Sequence, residues 1–425
     1  MKIRSTSSTA LPHSVLHPVD KAMEEVSASF ERFCLVAGVD ALGKMMERDA
    51  AEACGERHSR TQMRRGHRWG RTRGKIGFHA GRVEIERPRV RGLEGKELVL
   101  PSWEEAVGED WLGKWAMNLM LINVSTRRFR RAVRLPAGDI PAPSGSGLSK
   151  SAVSRQFVAL SSAQMKAWLE TDLSGLDIMV VQIDGIHIGD RLVLVAAIGI
   201  DADGRKHPLA LVEGATENAA VVQALIDNLI ERGLDPNVPR LFIIDGAKAL
   251  SKAIRRSFGP RSAIQRCQIH KARNIMERLP KSLHASVRRA LRQAWEIGDA
   301  DKAEKLIRNL ARRLEREAPG VAASLLEGID EILTVTRLAL PNELRRALAC
   351  TNIIENAMGT VRRVTHNVKN WSSASMTLRW TAAALGEAQK GFRRLKAYKQ
   401  LPALRAALLA HASNHGSLEK TLKAA

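Results

Sequence analysis

The sequence predicts a mixed α/β core with flanking helices, interrupted by an all-α segment and preceded by a mainly helical, basic N-terminal region with a short β-hairpin. Short aliphatic runs follow one another after residue 177, as in consecutive strands. Residues 272–338 instead keep only helical spacing. Residues 57–91 carry twelve Lys and Arg against two Glu, which gives the N-terminal region its basic character.

The composition is that of a globular protein that meets a polyanion. The chain has 425 residues, and its 67 Lys and Arg against 45 Asp and Glu give a formal net charge of +22. Nucleic acid is the commonest partner of such a protein, and an anionic membrane surface is the competing interpretation. The membrane is disfavoured because the longest apolar runs, such as 192–200, fall short of the ~20 residues that span a bilayer. Few, widely spaced cysteines and an N-terminus without an apolar secretion signal favour the cytoplasm.

A β-hairpin with Arg on one face is predicted within residues 57–91. Val83, Ile85 and Pro88 alternate with polar residues after a Gly-rich stretch. The net charge of +10 in this block is self-repelling, so contact with phosphates is favoured over a solvated charged face. The candidate DNA-binding residues of the block are Arg64, Arg65, Arg68, Arg71, Arg73 and Lys75.

The N-terminal DNA-binding region is expected to cover residues 1–145. Trp103, Trp111 and Trp115 fall at helical spacing, which predicts an amphipathic helix over 103–124 with its tryptophans in the core. Residues 136–147 have the Pro, Gly and Ser content of a linker. A helical connector over 146–172, capped by Ser149, is a candidate helix-turn-helix. Further candidate DNA-binding residues lie in the Arg-rich run before the linker: Arg127, Arg128, Arg130 and Arg131.

The α/β core is predicted to start at residue 173, with its first part ending at 271. Helical stripes such as Val287, Leu291 and Ala294 predict an all-helical segment over 272–340. The second part of the core is expected over 341–400, before a helical tail over 401–425. The strands of the first part are expected at 177–184, 191–200, 206–214 and 240–245, with a helix over 216–233.

Two of these strands deliver an acid to their C-terminal tips. VVQIDG ends at Asp184 and its Gly, and LFIIDG ends at Asp245 and its Gly. Either one alone is ordinary turn chemistry. As a pair at the ends of neighbouring strands, they are expected to face the crevice where open α/β sheets bind ligands. Two carboxylates at short range repel and need a cation between them, and oxygen-only ligands favour Mg²⁺ or Mn²⁺.

Glu355 is the third candidate acid. With Asn352 as N-cap, Glu355 also fits a capping box, which implies no catalysis. However, Arg362 follows it by seven residues, which is two helical turns, so an acid and a phosphate-directed Arg share one helix face. Residues 356–400 then carry nine Lys and Arg against one Glu, which favours a nucleic-acid surface around this helix.

Several motifs in this order resemble those of the mutator-type transposases of bacterial insertion sequences. They are the acids Asp184, Asp245 and Glu355, the phrase HPLALVEGATENA at 207–219, QRCQIHKARN at 265–274, and TNIIEN at 351–356 followed by Arg362 and Arg363. The resemblance covers residues 57–395. One departure is Asn356, where the family often has Arg, which leaves the contacts of that helix with DNA open.

The resemblance implies an RNase H-like catalytic domain whose DDE triad is Asp184, Asp245 and Glu355, interrupted by the helical insertion. The triad would hold Mg²⁺ or Mn²⁺, two ions per active site. The implied activity is binding of terminal inverted repeats, followed by metal-dependent cleavage and strand transfer into target DNA. The implied assembly is at least a dimer on double-stranded DNA, in the bacterial cytoplasm or nucleoid. Residues expected near the site or at DNA phosphates are Cys267, His270, Lys271, Arg362 and Arg363.

Two questions stay open at this level. Cys267 and His270 could form half of a zinc site, with Cys350 as the nearest other thiol in sequence, or Cys267 could pack while His270 touches a phosphate or orients an acid. The activity could also stop short of transposition. The alternatives are an RNase H-like nuclease without strand transfer and a catalytically silent, transposase-derived DNA-binding regulator.

Overall fold

The computed structural model describes residues 38–56, 64–78, 81–108, 121, 150–188, 192–318, 320–366, 368 and 370–424. The chain divides into two compact units. The first unit comprises Met1–Met120 and Val124–Leu160, and the second comprises Leu121–Asn123 and Ser161–Ala425. The boundary predicted near residue 145 lies outside the described residues and stays a prediction. The same holds for the roles predicted for Trp111, Trp115, Ser149 and the arginines between 127 and 131.

The first unit is built on an antiparallel hairpin. A helix over 38–54 (α1) precedes β1 (Gly66–Phe78), β2 (Gly81–Gly92), β3 (Glu97–Leu98) and α2 (Pro101–Gly108). The strands form one sheet in the order β1-β2-β3. Ile76 and Ile85 bury their side chains with Met46 of α1, and Trp103 of α2 packs against this cluster. The hairpin therefore forms where the sequence predicts one, and Trp103 has the predicted packing role.

The second unit contains a five-stranded mixed sheet. Its strands are β4 (Ile178–Ile188), β5 (Leu192–Asp201), β6 (Lys206–Glu213), β7 (Leu241–Ile244) and β8 (Ala263–Arg266). The order in the sheet is β6-β5-β4-β7-β8. The first three strands pair antiparallel, whereas β7 runs parallel to β4 and β8 runs parallel to β7. This confirms the mixed α/β class, with one strand more than the sequence predicts.

Some helices pack on this sheet, and others form a second core of their own. They are α3 (Lys150–Leu169), α4 (Ala219–Glu231), α5 (Lys248–Phe258), α6 (Gln268–Glu277), α7 (His284–Glu296), α8 (Ala300–Glu317), α9 (Val321–Leu326), α10 (Ile329–Ile332), α11 (Thr334–Arg337), α12 (Asn342–Leu348), α13 (Asn352–Thr365), α14 (Ala374–Lys390) and α15 (Leu401–Ala424). Val287, Leu291 and Ala294 of α7 are buried as their spacing predicts. Among the described residues, no helix combines the length and apolarity that crossing a membrane requires.

The two faces of β4 have different neighbours. Val181 and Ile183 join a buried cluster with α4 and α5. Since side chains alternate along a strand, Gln182 and Asp184 lie on the opposite face. There, α13 contacts β4, and the amide Nε2 of Gln182 donates to the carbonyl of Cys350, 3.2 Å away. The sheet thus carries Asp184 toward the segment that leads into α13.

Candidate active site

Asp184 and Asp245 occupy neighbouring positions on parallel strands. In the register of the β4/β7 pair, Ile183 is opposite Ile244, so the residue after each partner is one of the two acids. Asp184 lies within β4, and Asp245 is the first residue after β7. Gly246 has φ +113°, a conformation that favours glycine, and it turns the chain from β7 toward α5. The two predicted acids therefore lie side by side just beyond the last β4/β7 pair. Asp184 is not at the tip of its strand as predicted, because β4 continues for four more residues in its pairing with β5.

Asp245 is fixed by two hydrogen bonds. The buried hydroxyl of Thr216 donates to Oδ2 at 2.8 Å, and the backbone N–H of Ala247 donates to Oδ1 at 2.9 Å. Thr216 belongs to the loop between β6 and α4, so a third chain segment holds this carboxylate. These bonds leave the carboxylate with a defined orientation and with lone pairs still free to accept a cation.

Asp184 is nearly inaccessible, with 5% of its surface exposed. Its Oδ1 accepts a hydrogen bond from the N–H of Gly185 at 2.9 Å. Burial raises the pKa of Asp184 to about 6, and the charge of Asp245 adds to this shift, against the opposing effects of His270 and Thr351. A buried carboxyl beside a second carboxylate is a pair that a bound cation would stabilise.

Cys267, His270 and Thr351 form a polar cluster next to Asp184. The Sγ atom of Cys267 accepts the N–H of His270 at 3.5 Å, which caps α6. The hydroxyl of Thr351 lies 3.6 Å from that sulfur and 3.5 Å from Nδ1 of His270. The same Nδ1 lies 4.0 Å from Oδ2 of Asp184. Cys267 is therefore buried at a helix start, whereas His270 and the hydroxyl of Thr351 both act on Asp184.

The electrostatics of this cluster favour a charged imidazole. A hydrogen bond with Cys267 and the nearby carboxylate of Asp184 together raise the pKa of His270 above its usual range, against the effect of burial. Burial opposes ionisation of the Cys267 thiol, but hydrogen bonds from His270 and from the backbone of Thr351, together with the charge of His270, lower the pKa of the thiol. Burial raises the pKa of Cys350 to about 11. Of the two thiols, Cys267 is thus the one whose ionisation His270 favours.

Glu355 lies on α13, but its local role differs from the capping box. The helix begins at Asn352 with Thr351 as its N-cap, and no side chain makes a cap hydrogen bond. The interpretation of Asn352 as N-cap is therefore wrong. The carboxylate of Glu355 is 40% exposed and lies 3.8 Å from the guanidinium of Arg273 on α6. Burial is the main cause of the raised pKa of Cys350, and the charge of Glu355 adds to it.

The remaining predicted residues lie in different surroundings. Lys271 is buried and donates to the carbonyl of Glu327 at 2.8 Å, and burial lowers its pKa to about 8. Arg362 and Arg363 are exposed on α13. Within the described ranges, no group of three His, Cys, Asp or Glu side chains is close enough to hold a metal ion. The structure brings Asp184, Asp245 and His270 together and pairs Glu355 with Arg273.

The basic hairpin divides its charges between paired and open positions. Arg68 and Arg71 donate to the carboxylate of Glu47 on α1, at 2.8 and 2.7 Å. Arg73 lies 3.8 Å from Glu84 across the hairpin. Arg64, Arg65 and Lys75 are exposed. The predicted DNA-binding residues of the first unit are therefore not equivalent, because part of their charge is already neutralised.

Two residues of the site carry no signal as catalytic residues in the sequence. Thr216 stands inside the quoted HPLALVEGATENA phrase and Thr351 opens TNIIEN, yet neither residue type points to catalysis alone. Their roles arise from tertiary contacts, with Asp245 in one case and with Cys267 and His270 in the other. A threonine in a loop that enters a helix is more often a local cap.

Together, the fold and the site define a mixed α/β protein in which a buried Asp184 and a half-buried Asp245 lie side by side on neighbouring strands. The chain belongs to the Mutator family of transposases, whose sequence profile matches residues 30–394. This confirms the resemblance found in the sequence motifs.

Relatives of known name are transposases of insertion sequences. The transposase for insertion sequence element IS6120 of Mycolicibacterium smegmatis is 31% identical over 273 residues, which are 63% of this chain and 83% of the relative. The transposase for IST2 of Acidithiobacillus ferrooxidans is 32% identical over 200 residues, 47% of this chain and 66% of the relative. The transposase for ISRM5 of Rhizobium meliloti is 24% identical over 369 residues, 85% of this chain and 89% of the relative.

Proposed function

We propose that this chain is the transposase of an insertion sequence, which binds the terminal inverted repeats of its element and catalyses DNA cleavage and strand transfer by a DDE mechanism. The observation that carries the proposal is the placement of Asp184 and Asp245 side by side on parallel strands, with His270 facing Asp184. Membership of a transposase family supports it. The relatives named above are transposases of insertion sequences, which supports the same source of substrate DNA.

The proposed catalytic domain is RNase H-like. Three antiparallel strands, followed by two parallel strands on the other side of β4, support this assignment. In chain order, Asp184 lies on the first strand of the sheet and Asp245 directly follows the fourth strand. Glu355 lies on α13, a helix that packs against β4. The helices between β8 and α13 separate Asp245 from Glu355, and we take those over 272–340 as an insertion into the domain.

The donor set fits a hard divalent cation. Asp184, Asp245 and Glu355 offer carboxylate oxygens only, which suits Mg²⁺ or Mn²⁺. Burial raises the pKa of Asp184, and a bound cation would favour its charged form. When bound, two such ions would supply neutralisation of charge on the phosphate and activation of the attacking hydroxyl. Glu355 would join the two aspartates by leaving its contact with Arg273.

The side chains around the acids supply position and charge. Thr216 and the N–H of Ala247 orient Asp245, so its carboxylate is set before substrate binds. The imidazolium of His270 places a positive charge at the edge of the acid pair, where the phosphate of the scissile bond would enter. Phosphoryl transfer needs in-line positioning and neutralisation of charge, and it needs no covalent intermediate with the protein.

The first unit is the proposed DNA-binding part. Its exposed cations, Arg64, Arg65 and Lys75, suit the phosphates of double-stranded DNA. Joining two ends of an element to a target requires two active sites in one complex, so we propose at least a dimer in the reacting assembly.

The test is incubation of the purified full-length chain with Mg²⁺ and labelled duplexes that carry the DNA from each flank of its gene. We expect both nicked and joined products. Asp184→Asn, Asp245→Asn and Glu355→Gln should each abolish both products while duplex binding persists. Glu387→Gln is the matched control, because Glu387 is a half-buried acid of α14 that pairs only with Lys390 among the described residues.

Each other outcome selects a different function. Nicking without joining would identify a nuclease that lacks strand transfer. Binding without nicking or joining would identify a silent regulator. Full activity in any one of the three acid variants would remove that acid from the triad.

A further inference from the structure

Trp69 of the basic hairpin is unusually open to solvent. It lies on β1 with 53% of its surface exposed, whereas Trp103 of the same unit packs against the buried cluster. An exposed indole forgoes the large gain that burial of an aromatic side chain brings. Two features could explain this exposure in the middle of a strand: a backbone irregularity that turns the indole outward, and a ligand that the indole contacts.

A β-bulge is the backbone cause. The hairpin register is regular up to Arg68 opposite Val90 and resumes at Arg71 opposite Pro88. Trp69 and Gly70 thus stand against the single residue Arg89. Gly70 has φ +88°, and a Cβ added there would meet nothing within 4 Å, so the glycine serves backbone conformation and not space. Bulges of this kind re-aim a side chain, here the indole.

The indole is held against a guanidinium that is itself anchored. The Cζ atom of Arg91 lies 4.6 Å from the centroid of the Trp69 ring, in a cation–π contact. The Nε of Arg91 donates to the carbonyl of Gly95 at 2.7 Å, which ties the guanidinium to the turn before β3. Among the residues that the structure describes, Arg91 has no carboxylate partner, so its charge is available to an anion.

A cavity of about 310 Å³ opens beside this pair. It is lined by Trp69, Arg89, Val90, Arg91, Gly95 and Glu97. The one acid in it, Glu97, is already bonded by Arg89 at 3.2 and 2.8 Å and lies 3.5 Å from Arg87. This volume is at the small end for ligand sites and suits a single ring system better than a large molecule.

A flat aromatic surface, an available cation and a small cavity on a basic strand together match one nucleotide. We propose that Trp69 and Arg91 form a stacking platform for an unpaired base of DNA, with its phosphate facing Arg91. The base must lie outside a duplex stack, as an unpaired base in a single strand does, because both faces of each base inside a duplex are already covered by its neighbours. Aromatic stacking of this type binds single strands with little sequence preference.

This inference rests on the proposed function only for the identity of the nucleic acid as DNA. A strand end or a nicked junction exposes such a base, and transposition creates both. The platform would hold the strand end that the reaction frees, in addition to the phosphate contacts of the hairpin.

The test is binding of the full-length chain to a short single-stranded deoxyoligonucleotide that contains 2-aminopurine, in EDTA, with the same oligonucleotide in a fully paired duplex as the second probe. Stacking on an indole quenches 2-aminopurine, so the wild-type chain should quench the single strand and leave the duplex unchanged. Trp69→Ala should lose the quenching and weaken single-strand binding about tenfold, with duplex binding retained. Trp69→Phe should keep most of both signals, because a phenyl ring still stacks.

Two further variants separate stacking from charge and folding. Lys75→Gln removes an exposed hairpin charge away from the platform and should weaken both probes alike. Arg91→Gln should weaken the single strand more than the duplex. The proposal would be overturned if Trp69→Ala bound and quenched the single strand as well as the wild-type chain does. It would also be overturned if Trp69→Ala lost equal affinity for the single strand and the duplex while Trp69→Phe behaved as wild type.

The failure of this platform and the failure of the proposed function are distinguishable. The binding assay runs in EDTA, so it does not depend on cleavage or joining. A chain that joins DNA in Mg²⁺ but shows no Trp69-dependent quenching would refute the platform alone, and quenching without joining would refute strand transfer alone.

Discussion

The Nδ1 atom of His270 lies 4.0 Å from Oδ2 of Asp184, and the hydroxyl of Thr351 lies 3.5 Å from the same ring nitrogen. The pKa values of both side chains are raised, that of Asp184 mainly by burial and that of His270 first by its hydrogen bond with Cys267. An imidazolium thus stands beside a carboxyl group whose charged form is disfavoured. Burial of the Asp184 carboxylate therefore lowers the stability of the folded chain, and buried charges of this kind are common at functional sites.

Asp184→Asn is therefore expected to stabilise the protein at neutral pH in EDTA. The pKa of Asp184 in the folded chain, about 6, lies above its ordinary value of 3.8. Below pH 3.8 the acid costs no stability, and the wild-type chain loses stability as pH rises from there through about 6. The variant does not titrate here. It should exceed the wild-type free energy of unfolding by on the order of 1–3 kcal/mol at pH 8 and match it near pH 4.

Denaturant unfolding at both pH values measures this difference. Asp203→Asn is the control, since Asp203 is an exposed acid of the same unit, and it should show no such gain. Addition of Mg²⁺ should raise the stability of the wild-type chain and leave Asp184→Asn unchanged. A lower stability of Asp184→Asn than wild type at pH 8 in EDTA would contradict the burial argument.

Thr216→Val is expected to impair the site through Asp245. The hydroxyl that donates to Oδ2 of Asp245 is lost, whereas the methyl group near Gly185 is kept. A hydrogen bond to a charged group is worth about 1.5–3 kcal/mol, so cleavage should fall by roughly tenfold or more and the Mn²⁺ titration should shift to higher concentration. Thr216→Ser keeps the hydroxyl and should restore both. If Ser is as impaired as Val, the methyl packing matters and the hydroxyl does not.

Arg273→Gln is expected to strengthen the binding of Mn²⁺ to the DNA-free protein. The variant removes the cation that lies 3.8 Å from Glu355, so the acid is free to turn toward the aspartates. The pair is exposed and worth at most about 1 kcal/mol, so the gain should not exceed about fivefold. Arg346→Gln, which breaks an ion pair of the same length with Glu296, is the matched control. Calorimetric titration that shows no change or a weaker affinity would rule out a restraining role for Arg273.

Lys75→Gln and Arg68→Gln should affect DNA binding differently. Lys75 is exposed and has no carboxylate partner among the described residues, so its loss should reduce the slope of log affinity against log salt by about 1. Arg68 is half-buried and bonded to Glu47, so its loss should mainly destabilise the first unit. Equal salt slopes for Lys75→Gln and the wild type would remove Lys75 from the phosphate contacts.

The sequence shows the parts of this site that depend on local pattern, but not those that depend on packing. Aliphatic runs that end in Asp-Gly predict β4, β7 and their acids, because strand and turn preferences are local. Strand β8 escapes prediction because Gln265 and Arg266 occupy half of its four residues. Thr351 takes the cap position expected of Asn352, and its hydroxyl faces Cys267 from a distant segment. Sequence spacing does not predict the contact between Thr351 and Cys267, or the one between Glu355 and Arg273, because each joins segments that are distant in the chain.

Arg232→Met is expected to destabilise the second unit without touching the acids. Arg232 is 8% exposed and lies just after α4. Its guanidinium donates to the carbonyls of Trp168, Thr171 and Leu209 and to Oδ1 of Asn228. Met fills a similar volume but leaves these acceptors without their donor, so the free energy of unfolding should fall by about 3–5 kcal/mol.

Arg232→Lys should recover only part of the loss, since one ammonium cannot reach acceptors on three segments. Arg261→Met, at an exposed Arg bonded only to Asn237 among the described residues, should cost less than about 0.5 kcal/mol. Denaturant unfolding followed by circular dichroism compares the three variants, and a loss for Arg232→Met no larger than for Arg261→Met would show that this buried guanidinium does not hold α3, β6 and α4 together.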